Sequence, residues 1–344
     1  MKVSLAATLS AALCLVTSTH AANILMNNDD GFGSGNIREL YRILKENGHD
    51  VRIVAPLSDQ SGQAGRSSYT TEANLTAPSE YNLIPAGAPS VGPDPYDSHI
   101  WYYNGTPAAC TFVALDYVLP RYFPGWKPDL MTSGPNFGTN PGPFLYTLAG
   151  TLGATYAAVE RSIPAIAFSA SNKNVGYMNV TNSSNPATWS AAVSAKIVQQ
   201  FLNATPEDQS VLPLGYGINV NIPELTSDEM PPIVATRLTG EADVDIAVYN
   251  ETTGLFKYGN LEPKAAGVNV CYNGDCGLPG ENYVVEGGSV SISVFTVDYD
   301  APANAYTADV LKKFAPLTED SGNSTTYGKR ALAKRGLVRR EERA

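Results

Sequence analysis

The chain has 344 residues, 43% of them apolar and 16% charged. That is enough apolar material to bury a core in one large domain or two ordinary ones, and it excludes a disordered or fibrous chain. The formal charge is −10, and without Lys2 and the last sixteen residues 15 basic side chains face 31 acidic ones, a surface that argues against binding nucleic-acid polymers through their phosphates.

The first predicted element is a leader over residues 1–22. Met1 and Lys2 precede an almost wholly apolar run, residues 3–16, and then the small residues of "STHAAN", the pattern of a secretory signal cleaved after Ala21 or Ala22. The competing reading is an N-terminal membrane anchor, but the run is short for a span and no later stretch reaches about 18 apolar residues. Secretion and N-glycosylation agree with seven Asn-X-Ser/Thr sequons, at Asn74, Asn104, Asn179, Asn182, Asn203, Asn250 and Asn323. It also agrees with "CYNGDC", Cys271 to Cys276, which reads as a disulfide-closed loop; the rival zinc site has no further Cys or His nearby. Cys110 falls in an apolar helical pattern and reads as a buried small hydrophobe.

Strand and helix then alternate. Ile24, Leu25 and Met26 form a first strand, and Ile37, Leu40, Tyr41 and Leu44 follow at helical spacing, with Ser34 a candidate N-cap and Gly48 a stop. "DVRIVAP" is a second strand. After an insert of low periodicity, about residues 75–98, come a "HIWYYNGTP" strand, a helix "PAACTFVALDYVLP" ended by Pro120, a "DLMTS" strand, a "GTLGATYAAVERS" helix, a "PAIAFSAS" strand and a "TWSAAVSAKIVQQFLNA" helix. This alternation predicts an α/β fold, a Rossmann-like and mainly parallel sheet with helices on both faces, over residues 23–212. Residues 213–312 are richer in strands ("GYGINVNIPEL", "PPIVATRLTG", "DVDIAVYN", "GSVSISVFTVDYDAP") and read as a β-rich C-terminal extension of the same domain, packed on or projecting from the core. Residues 313–344 end in dibasic pairs and read as a disordered basic tail.

In a parallel sheet, sites form beyond the carboxyl ends of the strands. The segments at those ends are "NNDDG", "LSDQSGQAG", "NGTP" and "SGPNFGTN", which bring together Asp29, Asp30, Ser61, Thr106, Asn136 and Asn140. All are oxygen donors, and an oxygen-only site containing carboxylates suits Mg²⁺, Mn²⁺ or Ca²⁺ rather than zinc. A cation also explains how adjacent Asp29 and Asp30 both stay ionised. Glycines crowd the same loops, and helix starts just after them expose amides that favour an anion. A cation site beside an anion site suggests a phosphoryl ligand. Taken singly, "NDDG" reads as a turn with solvated acids, "SGPN" as a loop and the glycines as tight βα connections; their order after successive strands is what points to a site. Besides His20 in the leader, the chain has only His49 and His99. That disfavours histidine-nucleophile phosphatases, binuclear metallophosphatases and Ser-His-Asp hydrolases, and the sequence has no Gly-X-Ser-X-Gly elbow.

"ILMNNDDGFGSGNIREL", "VRIVAPLSDQSG", "NGTPAACTFVALD", "PDLMTSGPNFGTN" and "AGTLGATYAAVERSIPAIAFS" resemble, in that order, the SurE (survival protein) family of metal-dependent nucleotidases and phosphomonoesterases. Weaker matches run through "GINVNIPE", "ATRLTG", "FKYGN" and "GGSVSISVFTVDYDAP", so the resemblance covers about residues 23–305 apart from the insert. It implies a Rossmann-like sheet, a β-rich extension that often exchanges between subunits, and a homodimer or tetramer. By that resemblance Asp29, Asp30, Ser61 and Asn136 match the family's metal ligands. Asn28 and Asn140 match site-lining positions, and Gly150 with Thr151 matches a phosphate-cradling helix start. Two departures are Ala109, where the family's "GTPADC" has Asp, and Ala149, where its "SGT" has Ser.

The expectation is a secreted phosphomonoesterase holding one divalent metal ion (Mg²⁺ or Mn²⁺, with Ca²⁺ an alternative) and acting on a small phosphate monoester such as a nucleoside monophosphate, with no nucleic-acid polymer or membrane as partner. Asp29 and Asn136 carry the catalysis. Two alternatives stay open. Ala109 and Ala149 motivate a non-catalytic module that binds metal and phosphate ligand. A nucleoside hydrolase also places carboxylates after a first strand, but its chemistry calls for more clustered acids than "NNDDGFGSGN" supplies.

Overall fold

The computed structural model describes residues 21–261 and 270–317. The predicted leader (all but Ala21 and Ala22), the tail beyond residue 317 and the Asn323 sequon lie outside the described residues.

The strands in chain order are β1 (Asn23–Asn27), β2 (Asp50–Pro56), β3 (Val91–Pro93), β4 (Ile100–Tyr103), β5 (Leu130–Phe137), β6 (Ala165–Ala170), β7 (Tyr216–Ile222), β8 (Ile233–Thr236), β9 (Asp245–Asn250), β10 (Leu255–Asn260) and β11 (Val290–Thr296). The helices are α1 (Gly35–Glu46), α2 (Pro107–Val113), α3 (Leu119–Tyr122), α4 (Gly142–Leu148), α5 (Gly150–Glu160), α6 (Pro186–Ala204), α7 (Glu281–Glu286) and α8 (Ala305–Phe314). Nine strands form one sheet in the order β3-β4-β2-β1-β5-β6-β7-β11-β8. From β4 to β7 every pairing is parallel, whereas β3 runs antiparallel to β4 and β11 antiparallel to β7.

The side-chain period of two explains the layers. Ile24 and Met26 join a core that includes Ile37, Leu40 and Leu44 of α1 and Ile197 and Val198 of α6. Leu25, between them, joins a core on the other side with Ala154 and Ala158 of α5 and with Met131. A strand buried on both faces needs a continuous apolar run, which is how "ILM" reads. The sequence therefore belongs to a three-layer α/β fold, as expected. The C-terminal strands β11 and β8 extend the same sheet, and β9 and β10 form a separate two-stranded antiparallel sheet.

Two local expectations are corrected. The "DLMTS" strand does not stop at Ser133: β5 continues to Phe137, with its register against β6 shifted between Ser133 and Asn136. Gly134 makes this possible. Its φ is +101°, and a Cβ there would lie 2.1 Å from the carbonyl oxygen of Phe168, so no other residue fits so close a strand approach. Nor does Pro120 end its helix. A π turn over residues 114–118 joins α2 to α3, and the helix runs through Pro120 to Tyr122; the wider turn absorbs a residue that has no N–H to offer.

Sequence reasoning also passed over β3, β10, α4, α7 and α8, all short or peripheral. The Cys271–Cys276 disulfide is present and Cys110 is buried. The sequon asparagines Asn74, Asn179, Asn182, Asn203 and Asn250 are exposed, and Asn104 is half-buried. Residues 299–317 are a separate unit in which Asn304 caps α8, its side chain accepting from the Thr307 amide at 3.0 Å. Among the described residues no helix is long and apolar enough to cross a membrane.

Candidate active site

From β1 the chain proceeds outward to β2 and β4 on one side, and from β5 to β6 and β7 on the other. The order therefore switches between β1 and β5, and the carboxyl ends of the strands at such a switch are where ligand sites form in open parallel sheets. Asp29 and Asp30 follow β1 directly, and Asn136 lies at the end of β5.

Both aspartates are buried, 2% and 4% exposed. They are anchored in different directions. The Thr151 hydroxyl at the start of α5 donates to Asp29 Oδ1, and the Phe137 amide on β5 donates to Asp30 Oδ2 at 3.1 Å. The Gln60 amide, in the loop after β2, donates to the Asp29 carbonyl at 2.7 Å. Three elements thus converge on one dipeptide. Burial pushes Asp29 up to about 6, although the hydroxyl and amide of Thr151 pull it part of the way back. Burial, and then the charge of Asp29, holds Asp30 well above the usual carboxylate range. Desolvation and neighbouring negative charge raise both carboxyls, from Asp59 at Asp29 and from Asp29 at Asp30, and a divalent cation held here would reverse both effects.

The neutral residues nearby support that cation. The Asn136 side-chain NH₂ donates to the carbonyls of Phe137 (3.1 Å) and Gly138 (2.8 Å). The Asn28 NH₂ donates to the Gly31 carbonyl (2.9 Å) and Ser34 Oγ (3.2 Å). In both residues the amide is fixed by its nitrogen, and the buried Oδ1 has no hydrogen-bond partner among the described residues. A buried acceptor left unmatched costs about 1–3 kcal/mol, and a hard cation would satisfy it. Two carboxylates and buried amide oxygens are a donor set that fits Mg²⁺, Mn²⁺ or Ca²⁺. No group of three or more His, Cys, Asp and Glu able to hold a metal occurs among the described residues, so the fit rests on carboxylate, amide and hydroxyl oxygens.

The other expected residues have mixed placements. Ser61 is exposed, and its amide and hydroxyl both donate to Asp59 Oδ1, at 2.8 and 2.7 Å; its oxygen lone pairs stay available. Gly150 and Thr151 are buried against Asp29. The Thr106 hydroxyl accepts from the Ser68 amide and donates to the Arg66 carbonyl, so it is engaged with the 66–68 segment rather than with the aspartates. Asn140 is buried one loop further on, donating from its amide to Asn221 Oδ1 (2.7 Å) and from its side chain to Ser169 Oγ (2.8 Å). Sequence reasoning missed Asp59 and Glu80. Both add negative charge beside Asp30, and the Asp59 amide donates to Glu80 Oε2 at 2.9 Å. Glu80 belongs to the insert, whose lack of periodicity offered no handle.

The family model for survival protein SurE matches residues 24–244. The chain belongs to the SurE family. It is 42% identical to an acid phosphatase of Yarrowia lipolytica over 308 residues, 85% of this chain and 86% of that one. It is 31% identical to the 5′-nucleotidase SurE of Desulfovibrio desulfuricans over 199 residues, 55% of this chain and 69% of the relative. Among solved structures, the SurE protein of Aquifex aeolicus shares the fold, with a TM-score of 0.56 at 24% identity, covering 86% of this chain and all of that one. The two departures from the SurE pattern are both buried: Ala109 packs with Tyr103 and Cys110, and Ala149 sits at the N-cap of α5.

Proposed function

We propose that this SurE protein is a secreted, divalent-metal-dependent phosphomonoesterase that releases inorganic phosphate from nucleoside monophosphates or related monoesters. The observation that carries this reading is the adjacent buried pair Asp29 and Asp30 at the sheet's switch point, beside the unmatched buried oxygen of Asn136. The names of the relatives, an acid phosphatase and a 5′-nucleotidase, support the reaction class.

Asp29, Asp30, Asn136 and Ser61 would hold the cation, which when bound supplies positive charge to a phosphate oxygen and lowers the pKa of water. Thr151 fixes the plane of the Asp29 carboxylate, so that Asp29 can hold the attacking water in line with the leaving oxygen and accept its proton as the new P–O bond forms, while the departing oxygen takes a proton from solvent. The start of α5 directs its dipole at the same point, which favours the negative phosphoryl group. Asn28 and Asn140 would line the site, and Asn136, whose NH₂ is already engaged by the Phe137 and Gly138 carbonyls, would turn its Oδ1 to the cation.

The test is phosphate release from 5′- and 3′-nucleotides and simple monoesters with Mg²⁺, Mn²⁺ or Ca²⁺ and with chelator. Metal-dependent release is expected, and Asp29→Asn should lower kcat by about 10² or more while leaving a folded protein. Near-normal turnover by that variant would sink the assignment. No release from folded wild-type protein under any condition would favour a binding module, for which Ala109 and Ala149 are the motive.

The leader pattern and the exposed sequons support secretion with N-glycosylation, which N-terminal sequencing and glycosidase treatment of the exported protein would check. A homodimer or tetramer is supported by the β9–β10 sheet, where Phe256 and Tyr258 are 70% and 78% exposed; sedimentation velocity reads that state directly.

A further inference from the structure

We propose that Glu281, a buried carboxylate at the start of α7, is a positioning residue for the active site: it fixes the 138–142 loop that aims Asn136 and Asn140. The inference rests on the phosphomonoesterase reading of that site. Glu281 lies beyond residue 244, where the SurE match ends, and nothing in its local sequence, "PGENYVVEGG", marks it as more than a solvated helix start.

Glu281 is 0% exposed, and a buried acid is tolerated only where its oxygens are matched. Both are matched by donors. The Gly142 amide donates to Oε2 at 2.7 Å, and the Asn219 side-chain NH₂ donates to Oε1 at 3.0 Å. The same NH₂ donates to the Asn140 carbonyl at 3.2 Å. Asn221 and Ser169 take the amide and the side chain of Asn140, as described above. The loop between β5 and α4 is therefore gripped at residues 140 and 142 by groups from β6, β7 and α7. Steric closure reinforces the grip: Gly142 has φ +79°, and a Cβ there would lie 2.6 Å from that of Ala242 and 3.2 Å from Asn282 Oδ1. Two residues before Asn140, the Gly138 carbonyl accepts from the Asn136 NH₂ and so turns Asn136 Oδ1 away from the backbone. Asn136 and Gly138 are held on one side by β6, where Asn136 pairs with Ser169 and the Gly138 amide donates to the Ala170 carbonyl at 2.8 Å; on the other side the grip of Glu281 on Gly142 and Asn140 sets the path of the chain leaving Gly138.

The bonding pattern calls for two acceptor oxygens at this position. The Gly142 and Asn219 partners, one on each oxygen, are N–H donors, so a glutamine of the same shape must set its own NH₂ against one of them, whichever way its amide is turned; the Ser293 hydroxyl, which also faces Glu281, can turn to suit either group. Glu281→Gln therefore breaks one bond of the grip without removing volume.

The experiment compares wild type with Glu281→Gln and, in case that variant fails to fold, with Asn219→Ser. Three quantities are read on the full chain: Mn²⁺ affinity of the metal-free protein by electron paramagnetic resonance, kcat and KM separately for a nucleoside monophosphate, and Tm. The expected result is a folded Glu281→Gln protein with Mn²⁺ affinity or kcat reduced about 10-fold or more and KM changed less. Wild-type Mn²⁺ affinity and kcat in a folded variant, with only Tm lowered, would overturn the proposal and leave Glu281 a structural group. If wild type binds Mn²⁺ but releases no phosphate, the phosphomonoesterase reading fails alone, and the Mn²⁺ comparison still decides the role of Glu281. Failure of wild type to bind Mn²⁺ overturns both.

Discussion

At the scale of single residues, Asp29 and Asp30 are held by groups from three separate parts of the chain: the Thr151 hydroxyl, the Phe137 amide and the Gln60 amide. "NNDDG" after an apolar run is a local pattern, and two adjacent like charges at a strand end demand an explanation on electrostatic grounds alone. Glu281, Asn219 and Asn221 are polar groups brought together from distant parts of the chain, and nothing local distinguishes them from surface residues. The one hint was β7, "YGINVNI", where Asn219 and Asn221 alternate with apolar residues inside a strand that is buried on both faces. Close packing at the site supports a prediction for Gly150. A Cβ there would lie 2.9 Å from both Asp29 Cβ and Pro107 Cγ and 3.1 Å from Asp29 Oδ2. Gly150→Ala must then displace the Asp29 carboxylate or the start of α5. We expect a loss of about 1–3 kcal/mol in stability from overpacking, and a fall in Mn²⁺ affinity measured on the same protein. An unchanged affinity would mean that α5, not Asp29, gives way.

Among the elements, those with strong periodicity matched expectation: α1, α5, α6 and the parallel strands were all legible from apolar spacing. Departures arose where a tertiary approach overrides a local rule. Gly134 lets β5 pass beneath Phe168 and carry pairing on to Asn136, although Gly-Pro reads locally as a break. Pro120 sits inside a helix because a π turn precedes it. Helix α5 shows a different economy: its N-cap is Ala149, at φ −70° and ψ 135°, with no side-chain cap bond. That backbone geometry is the one a serine cap adopts. Ala149→Ser should therefore stabilise the protein by about 0.5–2 kcal/mol, visible as a rise in Tm in calorimetry. A flat or lowered Tm would indicate that the buried hydroxyl finds no amide of α5 to bond.

For the whole molecule, the alternation of strand and helix predicts the parallel sheet, but strand order is a matter of long-range pairing and only the structure gives the switch between β1 and β5. The same long-range assembly buries Glu281 and links it to pH. Its carboxyl is pushed from the ordinary 4.5 up to about 7, chiefly by burial. The groups facing it are the Gly142 amide from α4, the Asn219 side chain from β7 and the Ser293 hydroxyl from β11, all neutral, and each pulls the value partly back. Because the folded form holds this proton more tightly than the unfolded chain, the associated stability is fully present below about pH 4.5 and is lost as pH rises through about 7. One pKa unit corresponds to about 1.4 kcal/mol, so the loss from this group is a few kcal/mol. Asp29, raised to about 6, acts in the same direction in the metal-free protein, whereas a bound cation would keep Asp29 ionised and remove its share. Asp50, Asp97 and Asp116 are lowered below their ordinary value, so their contribution is lost only at more acid pH and leaves the 4.5–7 window clear. Urea unfolding of wild type and Glu281→Gln, both loaded with Mg²⁺, should therefore show wild-type stability falling more steeply between pH 4.5 and 7.5. The difference between the two proteins should shift by a few kcal/mol across that interval. Parallel pH profiles would mean that Glu281 does not hold a proton in this range, and that its bonds to Gly142 and Asn219 persist unchanged from acid to neutral pH.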